Sequence, residues 1–123
     1  MIISTIMLAV AGGLGAAARF LIDGLVRTRT PGSFPFGTMI INLGGSLLLG
    51  LLAGLVSFGL PSPVQIITGT GFLGGYTTFS SASVETLRLM QERRWAAVIG
   101  NGLGMLVLGS ALALLGLVIG RNL

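Results

Sequence analysis

The chain has 123 residues, of which 53% are hydrophobic and only 8% are charged, and its mean hydropathy is +0.99. Because a water-soluble domain carries about a quarter charged residues, this composition predicts an integral membrane protein. The net charge is only +4 and the arginines are scattered between apolar segments, which argues against nucleic-acid binding. The absence of cysteine and histidine excludes disulfides, zinc sites and histidine-based catalytic triads. We therefore expect a protein that is not an enzyme.

Four apolar segments are predicted to cross the bilayer as α-helices, within one domain that covers residues 1–123. They run from about residue 2 to 22, 36 to 60, 64 to 90 and 95 to 120. Each is long enough to cross about 30 Å of hydrocarbon at about 1.5 Å per residue. A polar loop over residues 23–35, a tight turn at residues 61–63 and a charged turn at residues 91–94 connect them. Both termini are expected on the same side of the membrane.

Glycine is abundant, and several glycines lie four residues apart, a spacing that lets helix backbones approach closely in lipid. The pairs are 50/54, 100/104 and 116/120. We interpret them as helix contacts, although glycine is also simply common in membrane helices. Four thin helices enclose a wide polar route poorly, so the chain is expected to oligomerise.

The third predicted span contains residues 69–83, GTGFLGGYTTFSSAS, in its middle. Adjacent glycines and a run of hydroxyl residues weaken a helix, so we predict a third helix broken near its middle. Its first half should end near Leu73 and its second half begin near Thr78. The carbonyl end of the first half suits a cation, and the amide end of the second half suits an anion. The alternative is a glycine kink that serves only close packing.

Other polar residues within the spans are candidates for ion contact. Asn42 can donate its amide to an anion or hold two helices together. Arg19 can attract anions, or reach the interface and pair with Asp23 four residues further on. Glu85 follows the predicted break, with Arg88 three residues later, and a buried carboxylate there should be paired or protonated.

The arginines are distributed unevenly between the two predicted sides of the membrane. The first and third loops carry Arg27, Arg29, Arg93 and Arg94, whereas the other side carries only Arg121. The positive-inside rule predicts that these loops are cytoplasmic and that both termini are external. This bias indicates a fixed orientation.

Three motifs carry a resemblance to a known family. They are GGLGAAAR at residues 12–19, FGTMIINLGGS at residues 36–46 and GFLGGYTTFS at residues 71–80. With these motifs the chain resembles, over nearly its whole length, the small bacterial fluoride channels of the Fluc (CrcB) family. The resemblance implies a multi-pass protein of the bacterial inner membrane that exports fluoride passively and so reduces its toxicity. It also implies an antiparallel dimer with fluoride pathways along the subunit interface.

The same resemblance implies roles for particular residues. A structural sodium ion, which is not transported, would be held by the backbone carbonyls of Gly74 and Thr77. The residues implied in the fluoride pathway are Asn42, Phe79, Ser80, Ser110 and Arg19, with Thr78 and Glu85 in support. The positive ring edge of Phe79 can face an anion.

Two departures from the family pattern modify this expectation. Ala82 stands where the family usually has a second phenylalanine, and the fourth span holds mostly leucine, methionine and glycine, with Ser110 retained. Together with the arginine bias, this leads to the hypothesis that an oppositely oriented paralogue supplies the missing groups.

Two other classes of function remain as alternatives. A small proton-coupled exporter of the multidrug type needs a carboxylate deep in the bundle, for which only Glu85 qualifies. A membrane scaffold that transports nothing would explain the glycines but not a break lined with hydroxyls.

Overall fold

The computed structural model describes residues 2–30, 34–56, 59 and 62–123, without the side chains of Ser62 and of residues 79–81. Its elements, in chain order, are α1 (Ile2–Arg29), α2 (Phe36–Val56), α3 (Ser62–Gln65), the π-helix π1 (Ile66–Leu73), α4 (Gly74–Tyr76), α5 (Phe79–Gln91) and α6 (Trp95–Arg121). The predicted all-helical class is confirmed for these residues. Three of the helices, α1, α2 and α6, are long and apolar enough to cross a membrane.

Helix α1 extends seven residues beyond the predicted end of the first span, so the expected loop from residue 23 is wrong over its first half. Asp23 and Arg27 form an ion pair one helical turn apart, with Oδ2 3.2 Å from Nε. Such pairs stabilise a helix, and the basic side chains of Arg27 and Arg29 complement the negative end of its dipole. The helix therefore continues to Arg29.

The tight turn predicted at residues 61–63 is also displaced. Residues 57, 58, 60 and 61 lie outside the described part, but Gly59 adopts a positive φ of 90°, a conformation open to glycine. Ser62 and Pro63 already belong to the first turn of α3. A proline is tolerated there because the amides of a first helical turn have no partner within the helix.

The outer surface of the described chain is strongly apolar. Many large hydrophobic side chains are exposed, including those of Ile2, Phe20, Leu106 and Val107. A water-facing surface rarely exposes apolar patches of this extent. The surface fits contact with lipid or with another subunit.

Helices α2 and α6 pack side by side through glycines. Gly50 lies against the backbone of Ala113, and Gly116 lies against the backbone of Leu47, so closely that a Cβ atom at either glycine would overlap a carbonyl oxygen. The predicted pairs 50/54 and 116/120 are thus confirmed as helix contacts. The third pair faces only side chains. Later residues of α2 contact later residues of α6, since Gly50 meets Ala113 and Gly54 meets Leu117. Helices α2 and α6 therefore run parallel.

Helix α1 makes a second close backbone contact, with π1 and α4. Gly71 lies against Leu8 and Ala11, Gly75 lies against the Gly12 carbonyl, and Gly15 lies against the Phe72 carbonyl and the Tyr76 amide. These contacts also advance together, so α1 is parallel to π1 and α4. A small core of apolar side chains continues this contact and consists of Ile41, Leu73, Tyr76, Ala18, Ile22 and Phe72. The core fixes the end of α4 beside α1 and α2.

The turn between α5 and α6 holds Arg93 in a left-handed conformation, with φ at 57°. Arg94 N–H donates to the Leu89 carbonyl and Arg93 N–H donates to the Met90 carbonyl, both at 3.0 Å. These two bonds form the Schellman motif, whose left-handed position favours glycine.

We therefore expect Arg93→Gly to raise the free energy of unfolding by about 1 kcal/mol, since a side chain in this conformation costs about that much. Thermal unfolding in detergent, followed by circular dichroism, measures the change. Arg94→Gly is the control because Arg94 has a negative φ of −90° and should give no gain. Equal gains from both variants would attribute the effect to charge and not to backbone conformation.

Candidate functional site

The helical path from Ser62 to Gln91 is interrupted at two residues. Helix α4 ends at Tyr76, Thr77 has extended backbone angles of φ −80° and ψ 157°, and α5 begins at Phe79. The first half of the predicted broken helix was expected to end near Leu73, and the helical path ends three residues later, at Tyr76. Residues 66–73 stay helical despite their glycines by adopting the wider π form, and Gly74 N–H donates to the carbonyls of Gly69 and Gly71.

The side-chain amide of Asn42 bonds both backbone groups of Thr78. Asn42 Nδ2 donates to the Thr78 carbonyl, and Thr78 N–H donates to Asn42 Oδ1, each at 2.9 Å. Thr78 is buried, so these groups would otherwise lack the partners that a helix supplies. Asn42 thus supplies the hydrogen bonds that are lost where the helix stops. Of the two roles predicted for its side chain, it performs that of holding two helices together.

The hydroxyls around the interruption donate mainly to backbone carbonyls. Thr77 Oγ1 donates to the Leu73 carbonyl at 3.0 Å, and the Thr77 amide donates to the same oxygen at 2.9 Å. Ser46 Oγ donates to the Asn42 carbonyl at 2.9 Å. The Thr77 methyl group lies against Gly45, where a Cβ atom would collide with it. The end of α4 is therefore held firmly against α2.

A cavity of about 450 Å³, here called the break cavity, opens beside the interruption. Its polar lining comes from α2, from π1 and α4, and from the two non-helical threonines, and its lining residues include Asn42, Ser46, Thr70, Gly74, Thr77 and Thr78. The last carbonyls of α4 carry partial negative charge and the first amides of α5 carry partial positive charge. The carbonyl end of α4 can therefore attract a cation, and the amide end of α5 can attract an anion.

A second cavity, of about 240 Å³, holds most of the charge within the bundle and is here called the charged cavity. It is lined by the charged side chains of Arg19, Asp23, Arg27 and Glu85, and Thr78 lines both this cavity and the break cavity. The ion pair observed for Asp23 is with Arg27 and not with the predicted Arg19. The preference follows from the extension of α1, which places Arg27 one helical turn beyond Asp23.

Glu85 has a partner across the bundle. The Thr38 hydroxyl on α2 donates to Glu85 Oε1 at 2.5 Å, which meets the expectation that this carboxyl is paired. Arg88, three residues further along α5, is exposed. Thr38 was missed in the sequence, although it is the one hydroxyl in the first turn of α2.

A third cavity, of about 610 Å³, lies between α2, α5 and α6 and is here called the α6 cavity. Asn42 lines both this cavity and the break cavity. Asn101 and Thr86 also line it, and Asn101 Nδ2 donates to Thr86 Oγ1 at 2.7 Å. Sequence reasoning missed both residues, although Asn101 is the only asparagine in the interior of the fourth span.

Not every predicted site residue reaches these cavities. Ser110 is exposed on α6, and it does not line any of the three cavities described here. Phe79 and Ser80 begin α5, but their side chains lie outside the described residues. The structure brings Asn42, Gly74, Thr77 and Thr78 together at the break cavity, and it brings Arg19, Glu85 and Thr78 together at the charged cavity.

Comparison with known proteins agrees with the motifs. A family model described as "CrcB-like protein, Camphor Resistance (CrcB)" matches residues 6–117. The protein named fluoride-specific ion channel FluC 1 from Leifsonia xyli subsp. xyli (strain CTCB07) is 52% identical over 113 residues, which cover 91% of this chain and 82% of the relative.

Two further relatives match most of the chain. The fluoride-specific ion channel FluC 2 of Mycobacterium tuberculosis (strain ATCC 25618 / H37Rv) is 46% identical over 105 residues, covering 85% of this chain and 81% of the relative. The fluoride-specific ion channel FluC of Nitratidesulfovibrio vulgaris (strain DSM 19637 / Miyazaki F) is 42% identical over 118 residues, covering 94% and 95%. The resemblance seen in the motifs is confirmed, and the chain belongs to the CrcB-like family.

Proposed function

We propose that this chain is a subunit of a fluoride channel that lets fluoride leave the cytoplasm passively across the bacterial inner membrane. The observation that carries the proposal is the non-helical backbone at Thr77 and Thr78, held by Asn42 in a chain whose relatives are named fluoride-specific ion channels. Such backbone is tolerated at membrane depth only where protein or a polar pathway satisfies it. Passive release of this kind reduces fluoride toxicity without chemical catalysis.

We assign residues 62–91 to a single membrane crossing, the fourth beside α1, α2 and α6. Support comes from α1, which packs in parallel along π1 and α4, and from α6, which bonds to α5 through Asn101 and Thr86. The crossing is then a broken helix, interrupted at Thr77 and Thr78. Discontinuous helices of this kind surround ion sites in other transporters.

The carbonyl end of the interruption suits a structural sodium ion held by Gly74 and Thr77. Both residues line the break cavity, and backbone carbonyl oxygens are hard ligands that suit a hard cation. The Thr78 amide, which would donate to the Gly74 carbonyl in a continuing α-helix, donates to Asn42 instead. Two oxygens are few for such an ion, so the same atoms of a second subunit would complete the site.

The fluoride pathway proposed here begins at the charged cavity. Arg19 attracts the anion there, and the cavity shares Thr78 with the break cavity, which Asn42 also lines. Phe79 and Ser80 follow directly in the chain. Ser110 joins the pathway only if a second subunit covers the exposed face of α6.

The second subunit is proposed to be an oppositely oriented paralogue in an antiparallel dimer. Arg27 and Arg29 lie in the last turn of α1, and Arg93 and Arg94 form the turn after α5. Because α1 is parallel to the crossing formed by residues 62–91, these four arginines share one end of the bundle, which the positive-inside rule places in the cytoplasm. A homodimer of opposed chains would need a more balanced charge.

Fluoride efflux from proteoliposomes tests the proposed function. The chain is reconstituted with its paralogue, and release of fluoride and of chloride is followed with ion-selective electrodes. We expect rapid fluoride release, little chloride release and no need for a proton gradient. Release of neither anion, or movement of cationic drugs that depends on a proton gradient, would contradict the proposal.

A gain of function is expected at Ala82, which lines the α6 cavity. Ala82→Phe should raise fluoride efflux of the chain reconstituted alone by about tenfold, equivalent to about 1.4 kcal/mol of barrier, because the ring edge offers positive charge to the anion. Ala82→Leu fills similar space without a ring and is the matched control. If both variants raise the efflux equally, filling the cavity and not the aromatic ring is responsible.

A further inference from the structure

Helix α6 buries one polar atom that has no hydrogen-bond partner in the described part of the chain. Asn101 is fully buried, with 0% exposure, and its Oδ1 is the unpaired atom. Its Nδ2 is already engaged with Thr86. An acceptor buried without a partner bears its full desolvation penalty, and lipid tails contain no donor that could relieve it. A donor from elsewhere is therefore expected to reach this oxygen.

Three neighbouring polar groups cannot supply that donor, since their protons are committed. The Thr86 hydroxyl donates to the Ala82 carbonyl at 2.8 Å, and the Ser46 hydroxyl donates to the Asn42 carbonyl. The Asn42 amide donates to the Thr78 carbonyl and, at 3.4 Å, to Met105 Sδ. These groups therefore present lone pairs to the α6 cavity. A bare anion would be repelled by such a lining.

The α6 cavity has ample room for water. Its volume is about 610 Å³, whereas about 10–15 Å³ of such space suffices for one water molecule, provided that polar partners are present. Water bound to an acceptor keeps a second proton free to donate. One bound water thus converts an acceptor that repels fluoride into a donor that attracts it.

We propose that Asn101 Oδ1 binds a water molecule in the α6 cavity, and that this water donates its second proton to fluoride as the anion passes Asn42. The second half of the proposal depends on the proposed channel function. The first half, water at Asn101, does not. Asn101 is then a positioning residue, which acts on the anion through the water and does not touch it.

Water contact is measured directly by solid-state NMR of the assembled channel in perdeuterated lipid. The chain contains three asparagines, Asn42, Asn101 and Asn122, so labelling with ¹³C-asparagine gives three side-chain signals. We expect transfer of magnetisation from water to Asn101 Cγ within about twofold of that to the exposed Asn122. Transfer at the background level recorded in D₂O would overturn the proposal, because the donor would then be a protein group.

The role in transport is tested by fluoride efflux of Asn101→Leu, which keeps the branched shape of the side chain and removes the acceptor. We expect about a tenfold loss, the size of one hydrogen bond, and partial recovery in Asn101→Ser. Asn122→Leu, on the exposed end of α6, is the matched control and should leave efflux unchanged. Unchanged thermal unfolding of Asn101→Leu shows that the loss is not a folding defect.

The two possible failures are distinguishable. If the unmodified channel releases no fluoride, the proposed function is wrong, while the NMR measurement still decides whether water is bound at Asn101. If the unmodified channel releases fluoride and Asn101→Leu releases it equally fast, only the role of Asn101 in transport is overturned.

Discussion

Replacing Asn42 with leucine is expected to abolish fluoride efflux and to destabilise the protein severely. The change leaves the amide and the carbonyl of Thr78 without the two 2.9 Å bonds that they make to Asn42. Each backbone group left unpaired in a membrane interior costs several kcal/mol, and the total stability of a domain is about 5–15 kcal/mol. Size-exclusion chromatography and thermal unfolding in detergent measure the stability, and proteoliposome efflux measures the function.

The control for this result is Asn122→Leu, since Asn122 is exposed and bonds only locally, to the Val118 carbonyl. It should alter neither stability nor efflux. If Asn42→Leu folds and unfolds like the unmodified protein, then Asn42 does not replace helical hydrogen bonds at the interruption. If it folds normally and only efflux is lost, Asn42 acts on the ion and not on the backbone.

The second large effect is expected at Gly15, where even alanine should prevent correct packing. A Cβ atom there would overlap the Phe72 carbonyl oxygen and crowd the Tyr76 amide. Both neighbours are backbone, so neither can rotate away, and α1 must separate from π1 and α4. Overpacking in a core costs about 1–3 kcal/mol and occasionally more, and a clash with helical backbone is expected at the upper end. Thermal unfolding and the yield of folded protein measure the loss.

Gly24 on the same helix provides the matched comparison. A Cβ atom at Gly24 meets nothing within 4 Å, so Gly24→Ala should be neutral or slightly stabilising, because alanine favours a helix over glycine by about 1 kcal/mol. Equal losses from Gly15→Ala and Gly24→Ala would mean that α1 does not pack against α4 as described.

Much of this fold could be predicted from local patterns. Apolar segments of sufficient length gave α1, α2 and α6, and the run of glycines and hydroxyl residues indicated where regular helix would fail. Asn42 was identifiable because a single strongly polar side chain inside an apolar span requires a partner. These signals are short-range. Each reflects a free-energy cost that a segment bears in any membrane protein, whatever its neighbours are.

Other features depend on contacts between segments that are distant in sequence. The choice of Arg27 over Arg19 as the partner of Asp23 follows from where α1 ends, which the apolar pattern alone misplaced. Asn101 is the only asparagine in the interior of the fourth span, but its importance lies in its complete burial beside Thr86, which the sequence of that span does not show. Ser110 was expected to line a pathway, but it is exposed on α6, and what covers it depends on a contact outside this chain.

The arrangement described here links three features in one place. The backbone leaves the helix at Thr77 and Thr78, Asn42 bonds the amide and the carbonyl of Thr78, and Thr78 lines both the break cavity and the charged cavity. In the function proposed above, the charged cavity draws an anion in and the carbonyl end of α4 holds a cation. The proposed ion transport depends on that interruption being present in the membrane.

Carbon chemical shifts of Thr77, recorded by solid-state NMR of the labelled protein in a lipid bilayer, test the interruption most directly. We expect the shifts of extended backbone at Thr77, between helical shifts at Leu73 and at Ser83. Helical shifts at all three residues would show a continuous helix across this segment and would contradict the account.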